Sequence, residues 1–279
     1  MKKRILISTD FSKNAQNAMD YAINLYKHDT CEFYILNTYS IEAFTMELDA
    51  TTQIEVSKQK SVTGLANILD RLSIINDSPN HQYHMISERG FLIEKLKKII
   101  DEQDIDIVVM GTKGATDSGT KIYGSHTMLA MERIRNCPVL AIPAKAIFKK
   151  IKEIVFPTDY RTVYKKKEFH YLIDIAKNNG SAIHILHILQ KNKLLDEDQR
   201  NNQNLLKEYF KGLEYSFYEL QDTKVQSGVN SFIENRNIDL VSFINRKHNF
   251  FSWNLSKPMV KNLTYHSNIP ILALHDLRN

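Results

Sequence analysis

Three glycines and a serine in the first half of the chain have a spacing that suits phosphate binding. Gly111, Gly114 and Gly124 are separated by two and by nine residues, and Ser125 follows the last of them directly. Glycine lets a backbone approach an anion closely because it lacks a Cβ, and a loop that opens a helix presents N–H groups at the helix's positive end. The stretch from Met110 to Thr127 therefore predicts a loop that holds phosphates.

The predicted loop lies between a strand and a helix. The apolar run 105–110 precedes it, and the amphipathic segment 125–134 follows it. Thr9 and Asp10 end the first apolar strand of the chain in the same way. Ligands of open parallel sheets gather at the carboxyl ends of the strands. If the first and fourth strands are neighbours, Asp10 and the glycine loop face one crevice large enough for a mononucleotide.

The strand-and-helix pattern occurs twice. Arg4 to Phe11 (RILISTDF) and Glu153 to Tyr160 (EIVFPTDY) are both apolar strands that end in Thr-Asp-aromatic, and both halves finish with an X-Pro strand. Strands that alternate with helices in this way indicate parallel βαβ units. We therefore predict an α/β fold of two tandem open parallel five-stranded sheets with helices on both faces, in domains 1–145 and 150–279.

Composition excludes several other classes of protein. The chain has 279 residues, of which 43% are hydrophobic and 25% charged, as expected of a well-packed core. Its longest apolar runs are far shorter than the roughly 18 residues of a membrane span. Asp10 interrupts the apolar N-terminal stretch, which argues against a signal peptide. Two cysteines are too few for a disulfide framework, and a cytoplasmic location is expected.

The net charge of +5 is unevenly distributed. Residues 1–143 carry a net charge of −2 and residues 144–279 one of +7. Lysine clusters at 145–152 and 165–167 contribute much of the excess. The favoured interpretation is that these lysines are solvated residues at a linker and at the start of a helix. The alternative is that they form a surface for nucleic acid or an acidic partner. Nucleic acid is the less favoured of these, and no membrane contact is expected.

These motifs together resemble the universal stress protein family. The resemblance rests on the strand followed by Thr-Asp-Phe-Ser at the start, the G-x2-G-x9-G-S spacing after the fourth strand, and the closing Pro-Val strand at residues 138–139. It implies Rossmann-like sheets with strand order 3-2-1-4-5. It also implies that the chain is a tandem member in which the first copy alone carries the signature that holds ATP phosphates.

The resemblance assigns residues around the adenosine. Asp10 corresponds to the acidic position whose carboxylate accepts hydrogen bonds from ribose hydroxyls or the base edge, and the adjacent Thr9 is assigned to the same binding site. Thr38, near the end of the second strand, matches the position whose backbone meets adenine, and an ordinary strand-end role is equally open. Met110 would lie beside the base or sugar, although a methionine there is more often part of the core.

The resemblance also assigns residues around the phosphates. Gly111, Gly114 and Gly124 would permit the turns, and Ser125 would add its hydroxyl and its N–H. Lys113 would pair with a phosphate or face solvent. His126 would contribute its amide, and catalysis by its ring would need a positioned water and an orienting partner that the sequence does not reveal. We predict no catalytic residue and no metal site in the protein, apart from Mg²⁺ that accompanies ATP.

The second half departs from this pattern. Residues 244–259 (INRKHNFFSWNLSKPM) contain no glycine, although Asp159 keeps the place of Asp10. Side chains there would obstruct phosphates, so we predict no ATP site in the second half. The basic and aromatic residues 246–253 either fill the vacant pocket or form a protein-binding patch, with single-stranded nucleic acid a remote third choice.

The sequence therefore predicts a stress-response regulatory protein with ATP in its N-terminal domain. Any ATPase activity would be slow. The expected partners are ATP, the other half of the chain through residues 139–142 beside 271–274, a possible second copy and an unidentified protein. The alternative is a protein-interaction module that binds no nucleotide, or AMP alone. An adenylyl transferase ranks third because the loop after the first strand lacks the glycines that such an enzyme requires.

Overall fold

The computed structural model describes residues 2–40, 50–75, 78–112, 125–189, 194–221, 225–245 and 268–275. The chain divides into two compact units, Met1–Gly111 and Thr112–Asn279. The domain boundaries predicted above, 1–145 and 150–279, stay a prediction.

The first unit alternates strands and helices along the chain. Its elements are β1 (Lys3–Ser8), α1 (Lys13–Leu25), β2 (Cys31–Tyr39), α2 (Ala50–Ile75), β3 (His81–Arg89), α3 (Leu92–Glu102) and β4 (Ile107–Gly111).

The second unit begins with a helix and continues the alternation. Its elements are α4 (Ser125–Arg133), β5 (Val139–Ile142), β6 (Glu153–Pro157), a 3₁₀ turn (Lys166–Phe169), α5 (His170–Asn179), β7 (Ala182–Leu189), α6 (Glu197–Tyr209), β8 (Glu214–Gln221), α7 (Val225–Arg236), β9 (Leu240–Asn245) and β10 (Ile271–His275).

The ten strands belong to one mostly parallel sheet, so the prediction of two separate five-stranded sheets is wrong. The first unit has the order β3-β2-β1-β4, and the second has β5-β10-β9-β6-β7-β8. Strands β8, β7, β6, β9 and β10 thus reproduce the predicted order 3-2-1-4-5. The antiparallel pairing of β5 with β10, in which Leu272 lies opposite Leu140, explains the difference. An apolar edge strand has unpaired backbone groups, and pairing with another edge satisfies them.

The central strands are buried along most of their length. In β1, Ile5, Leu6 and Ile7 are fully buried, and Val108 and Val109 of β4 are buried equally well. Continuous apolar runs of this kind are typical of parallel strands that are covered on both faces. The first unit therefore has a rigid centre from which the carboxyl ends of its strands emerge.

Helix α1 is held close to this centre by small residues. Ser12 caps it, since the Ser12 Oγ accepts a hydrogen bond from the Ala15 amide at 3.2 Å. Its buried face consists largely of Ala15, Ala18, Met19 and Ala22.

In the part of the chain that the structure describes, no helix is both long enough and apolar enough to span a membrane.

Candidate functional site

The carboxyl ends of three neighbouring strands meet in the first unit. Ser8, the last residue of β1, lies opposite Leu36 of β2 and opposite Met110 of β4. The Thr9 amide donates to the Leu36 carbonyl at 2.8 Å. The condition set by the sequence, that the first and fourth strands be neighbours, is therefore met. Asp10 and the residues after Met110 leave adjacent strands at the same level.

The loop after β1 is organised by its own side chains. The Thr9 Oγ1 accepts a hydrogen bond from the Phe11 amide at 3.0 Å, and the Asp10 Oδ1 accepts one from the Ser12 amide at 3.0 Å. Phe11 adopts a left-handed conformation, with φ of 64°. Asp10 is exposed, and its Oδ2 has no partner among the residues described. The carboxylate therefore keeps an oxygen available to accept a hydrogen bond from a ligand.

The end of β4 shows why Gly111 is glycine. A Cβ on Gly111 would lie 2.8 Å from the Asn14 carbonyl oxygen and 3.2 Å from the Ala15 Cα. Both atoms belong to the backbone of α1 and cannot rotate away. Gly111 is thus required for the packing of α1 on β4, whether or not a phosphate binds beside it. Met110 is only 3% exposed and belongs to the core.

Two polar atoms without partners belong to residues that follow these strands: Asn14 lies in the first turn of α1 after β1, and Thr112 directly follows β4. Within the described part of the chain, the buried Oδ1 of Asn14 and the buried Oγ1 of Thr112 have no hydrogen-bond partner. Buried polar atoms are normally paired, and an exception requires an explanation such as an absent water or ligand. Asn14 therefore adds a polar group to the first unit that sequence reasoning did not identify.

The remaining predicted residues are distributed as follows. Thr38 is half-buried within β2, opposite Glu88 of β3. Ser125 begins α4, and His126 follows it as an exposed residue. Lys113, Gly114, Gly124 and the side chain of Ser125 lie outside the described residues.

Comparison with known proteins gives one family. Residues 1–143 match the universal stress protein family. The chain belongs to this family. No curated protein matches it. A universal stress protein from Archaeoglobus fulgidus is 16% identical over 98% of each chain, with a TM-score of 0.75. A functionally unknown protein from Pseudomonas aeruginosa is 10% identical over 98% of this chain and 92% of that one, with a TM-score of 0.61. At these identities the likeness concerns the fold alone.

The second half of this universal stress protein contains a loop with the same hydrogen bonds. The Thr158 Oγ1 accepts from the Tyr160 amide at 3.0 Å, and the Asp159 Oδ1 accepts from the Arg161 amide at 3.0 Å. Tyr160 also has a left-handed φ, of 55°. Its side chain is fully buried, however, whereas that of Phe11 is 41% exposed. The two halves therefore share a loop but use its aromatic residue differently.

The second half also differs from the first at the end of its fourth strand, β9, and in the segment that leads to its first helix. Buried Ile244 takes the place of Gly111 in β9. The chain after Tyr160 does not enter a helix at once, since a 3₁₀ turn at Lys166–Phe169 precedes α5. Because α5 begins later after its loop than α1 does, the second half tolerates the side chain of Ile244. The basic and aromatic segment 246–253, predicted either to fill the vacant pocket or to bind a protein, lies outside the described residues.

His187 makes the stability of the second half dependent on pH. It is 2% exposed, and its Nδ1 is 2.7 Å from the Thr158 carbonyl. Burial lowers the pKa of His187 more than this hydrogen bond raises it. The unfolded chain therefore takes up a proton more readily, and we expect stability to be full above about pH 6.5 and to be lost as the pH falls below it.

The variant His187→Asn tests this effect by urea unfolding between pH 7.5 and 5. Asn37 in the first half donates from its Nδ2 to the Thr9 carbonyl at 2.8 Å, so an amide can make the same bond. We expect the variant to lose less stability on acidification than the wild type. Parallel pH profiles for the two proteins would contradict the assignment.

Proposed function

We propose that this universal stress protein is a stress-response regulator whose N-terminal half binds ATP. The observation that carries the proposal is the adjacency of β1 and β4, with Ser8 opposite Met110. It places the exposed carboxylate of Asp10 beside the strand that leads into the glycine-rich sequence. An acidic residue for the ribose and the start of a glycine-rich sequence for the phosphates would then leave the sheet side by side.

The described residues fit a nucleotide at this edge of the sheet. Asp10 has an oxygen free to accept from a ribose hydroxyl, and the buried Asn14 Oδ1 lacks a partner among the described residues. Residues 113–124 would wrap the phosphates, with Lys113 as a counter-charge and the amides of Gly114, Gly124, Ser125 and His126 as donors. Bound ATP supplies a polyphosphate with Mg²⁺, and the role is sensing rather than turnover.

We further propose that the second half is a degenerate tandem copy without this site. Support comes from the shared strand order and from the matching Thr-Asp-aromatic loops. Ile244 in place of Gly111 and buried Tyr160 in place of exposed Phe11 argue against a ligand there. The antiparallel β5–β10 pairing supports a role for this half in joining the two copies, and a homodimer stays a prediction.

One observation favours the alternative of an interaction module that binds no nucleotide, or AMP alone. Gly111, one of the three glycines in the signature, is explained by the backbone of α1 at 2.8 Å. Its presence is therefore not by itself an indication of phosphate. The proposal then depends on Gly114 and Gly124.

Nucleotide release and calorimetry distinguish the two functions. The purified protein is incubated with about 1 mM ATP, desalted and denatured, and the released nucleotide is identified and its binding measured by titration. We expect ATP to be retained by the wild type and lost in Gly114→Val, because two methyl groups would occupy the space of a phosphate. Lys247→Val changes the corresponding position of the second half and should bind as the wild type does. A wild type that retains no ATP would leave the interaction module as the function.

A further inference from the structure

Thr9, the residue before Asp10, is held through its amide, its hydroxyl and its carbonyl. Its amide donates to the Leu36 carbonyl at 2.8 Å, and its Oγ1 accepts from the Phe11 amide at 3.0 Å. Its carbonyl accepts from the Asn37 Nδ2 at 2.8 Å. Of these three bonds, the last is the one that a side chain of the neighbouring strand β2 supplies. A substitution of Asn37 can therefore remove it while the backbone bonds stay in place.

The bond from Asn37 acts on the peptide that joins Thr9 to Asp10. A peptide unit is planar, so the Thr9 carbonyl turns together with the amide and the Cα of Asp10. A fixed Thr9 carbonyl thus fixes the point from which the Asp10 side chain leaves the backbone. The Asp10 Oδ1 is held in turn by the Ser12 amide at 3.0 Å. Asn37 therefore helps to set the direction of the Asp10 carboxylate.

This bond is almost closed to water, although it supports an exposed side chain. Asn37 is 8% exposed and Thr9 is 7% exposed. A buried carbonyl that loses its donor is costly, because water does not readily take the donor's place. The loop also contains the left-handed Phe11, whose φ of 64° is unfavourable for a bulky residue. Without Asn37, the Thr9–Asp10 peptide would have reason to turn away from its present orientation.

The second half makes the equivalent bond with a histidine. The Thr158 amide donates to the Leu186 carbonyl at 2.9 Å. The next residue of β7, His187, has its Nδ1 2.7 Å from the Thr158 carbonyl. Asn37 follows Leu36 in β2 in the same way. In both halves a side chain of the second strand thus holds the loop after the first strand, and only the first half has the proposed ATP site beside that loop.

We infer that Asn37 is a positioning residue for the nucleotide, which orients the Thr9–Asp10 peptide so that the Asp10 carboxylate meets the ribose. The inference rests on the proposed ATP site. Asn37 acts through Asp10 rather than by contact with the ligand. When the bond is absent, the carboxylate is no longer held in one direction before binding, and the affinity falls by the cost of ordering it.

Calorimetry on the full chain with ATP, adenosine and inorganic tripolyphosphate tests the inference at about pH 8, where histidine is neutral. Asn37→Leu removes the donor at similar side-chain volume. We expect it to weaken ATP and adenosine about tenfold and to leave tripolyphosphate unchanged, because the proposed phosphate ligands follow β4. Asn37→His should restore the affinity, since His187 makes the same bond. His187→Leu removes that bond from the half without the site, and as the matched control it should change none of the three.

A double-mutant cycle shows whether Asn37 acts through Asp10. Asp10→Ala should weaken adenosine, and the addition of Asn37→Leu should weaken it no further. Additive losses would overturn the inference and keep the ATP site, as would wild-type affinity in Asn37→Leu or an Asn37→His variant that binds as weakly as Asn37→Leu. Equal losses of ATP, adenosine and tripolyphosphate would indicate a general role in folding and would also overturn it. A wild type that binds neither ATP nor adenosine would overturn both proposals.

Amide hydrogen exchange of the unliganded protein measures the loop directly. The Phe11 and Ser12 amides donate to side chains of this loop. We expect both amides to exchange faster in Asn37→Leu and the amides of β1 to exchange as in the wild type. Unchanged exchange at Phe11 and Ser12 would overturn the positioning role whether or not ATP binds.

Discussion

Gly111→Ala is expected to lower the free energy of unfolding by about 1–3 kcal/mol, and Gly111→Val by more. The new Cβ would lie 2.8 Å from the Asn14 carbonyl oxygen and 3.0 Å from its carbonyl carbon. Relief would require α1 to move away from β4, which would expose part of the face formed by Ala15 and Ala18. Urea unfolding followed by circular dichroism measures the loss.

The graded pair of substitutions identifies the cause. A steric clash grows with side-chain size, so valine should cost more than alanine. Lys13→Ala, an exposed change in the first turn of α1, is the control and should stay within about 0.5 kcal/mol of the wild type. Wild-type stability in Gly111→Val would mean that α1 is not held as closely as the structure indicates. The glycine would then be explained by a ligand alone.

Asp239→Ala is expected to cost about 2–4 kcal/mol at pH 7. The Asp239 Oδ2 accepts from the Lys152 and Glu153 amides at 2.7 and 3.0 Å, and its Oδ1 pairs with the Lys149 Nζ at 2.5 Å. The residue is 7% exposed. Its removal would unpair the start of β6 from the turn before β9, in the second unit.

The same site predicts a dependence on pH. Burial acts to raise the pKa of Asp239, but the hydrogen bonds from Lys149 and the two amides outweigh it and hold the pKa below its ordinary value. The unfolded chain therefore binds the proton more readily, so this stability is present above about pH 4 and is lost as the pH falls further. Unfolding curves of the wild type and Asp239→Ala should converge at low pH. Glu208→Ala, an exposed acidic position of α6 in the same unit, is the control and should cost little at any pH.

The two variants examine different parts of the protein. Gly111 belongs to the unit that carries the candidate ATP site, and Asp239 to the unit whose corresponding site has been filled. Because Asp239 is not among the residues proposed to bind ATP, Asp239→Ala should leave ATP affinity unchanged under conditions where the protein remains folded. A large loss of affinity would indicate that the two halves are coupled.

Much of the fold was predictable from local patterns. The strands around Ile5, Val108 and Leu272 were predicted because each is a short apolar run bounded by polar residues or proline. The Thr-Asp-aromatic motif was recognised in both halves, and both copies form the same loop, in which the Thr and Asp side chains accept hydrogen bonds from amides two residues further on. These features depend on neighbours in the sequence, and so a sequence can specify them.

Contacts between distant segments decided the rest. Residues 139–142 were expected beside residues 271–274, but the local pattern of each half suggested two separate sheets, because it does not show that β5 and β10, more than a hundred residues apart, are strands of the same sheet. Gly111 was assigned to phosphate binding, and only the position of α1 revealed that backbone atoms at 2.8 Å already require glycine there. Burial, pairing and empty space are properties of the packed chain, and local periodicity does not encode them.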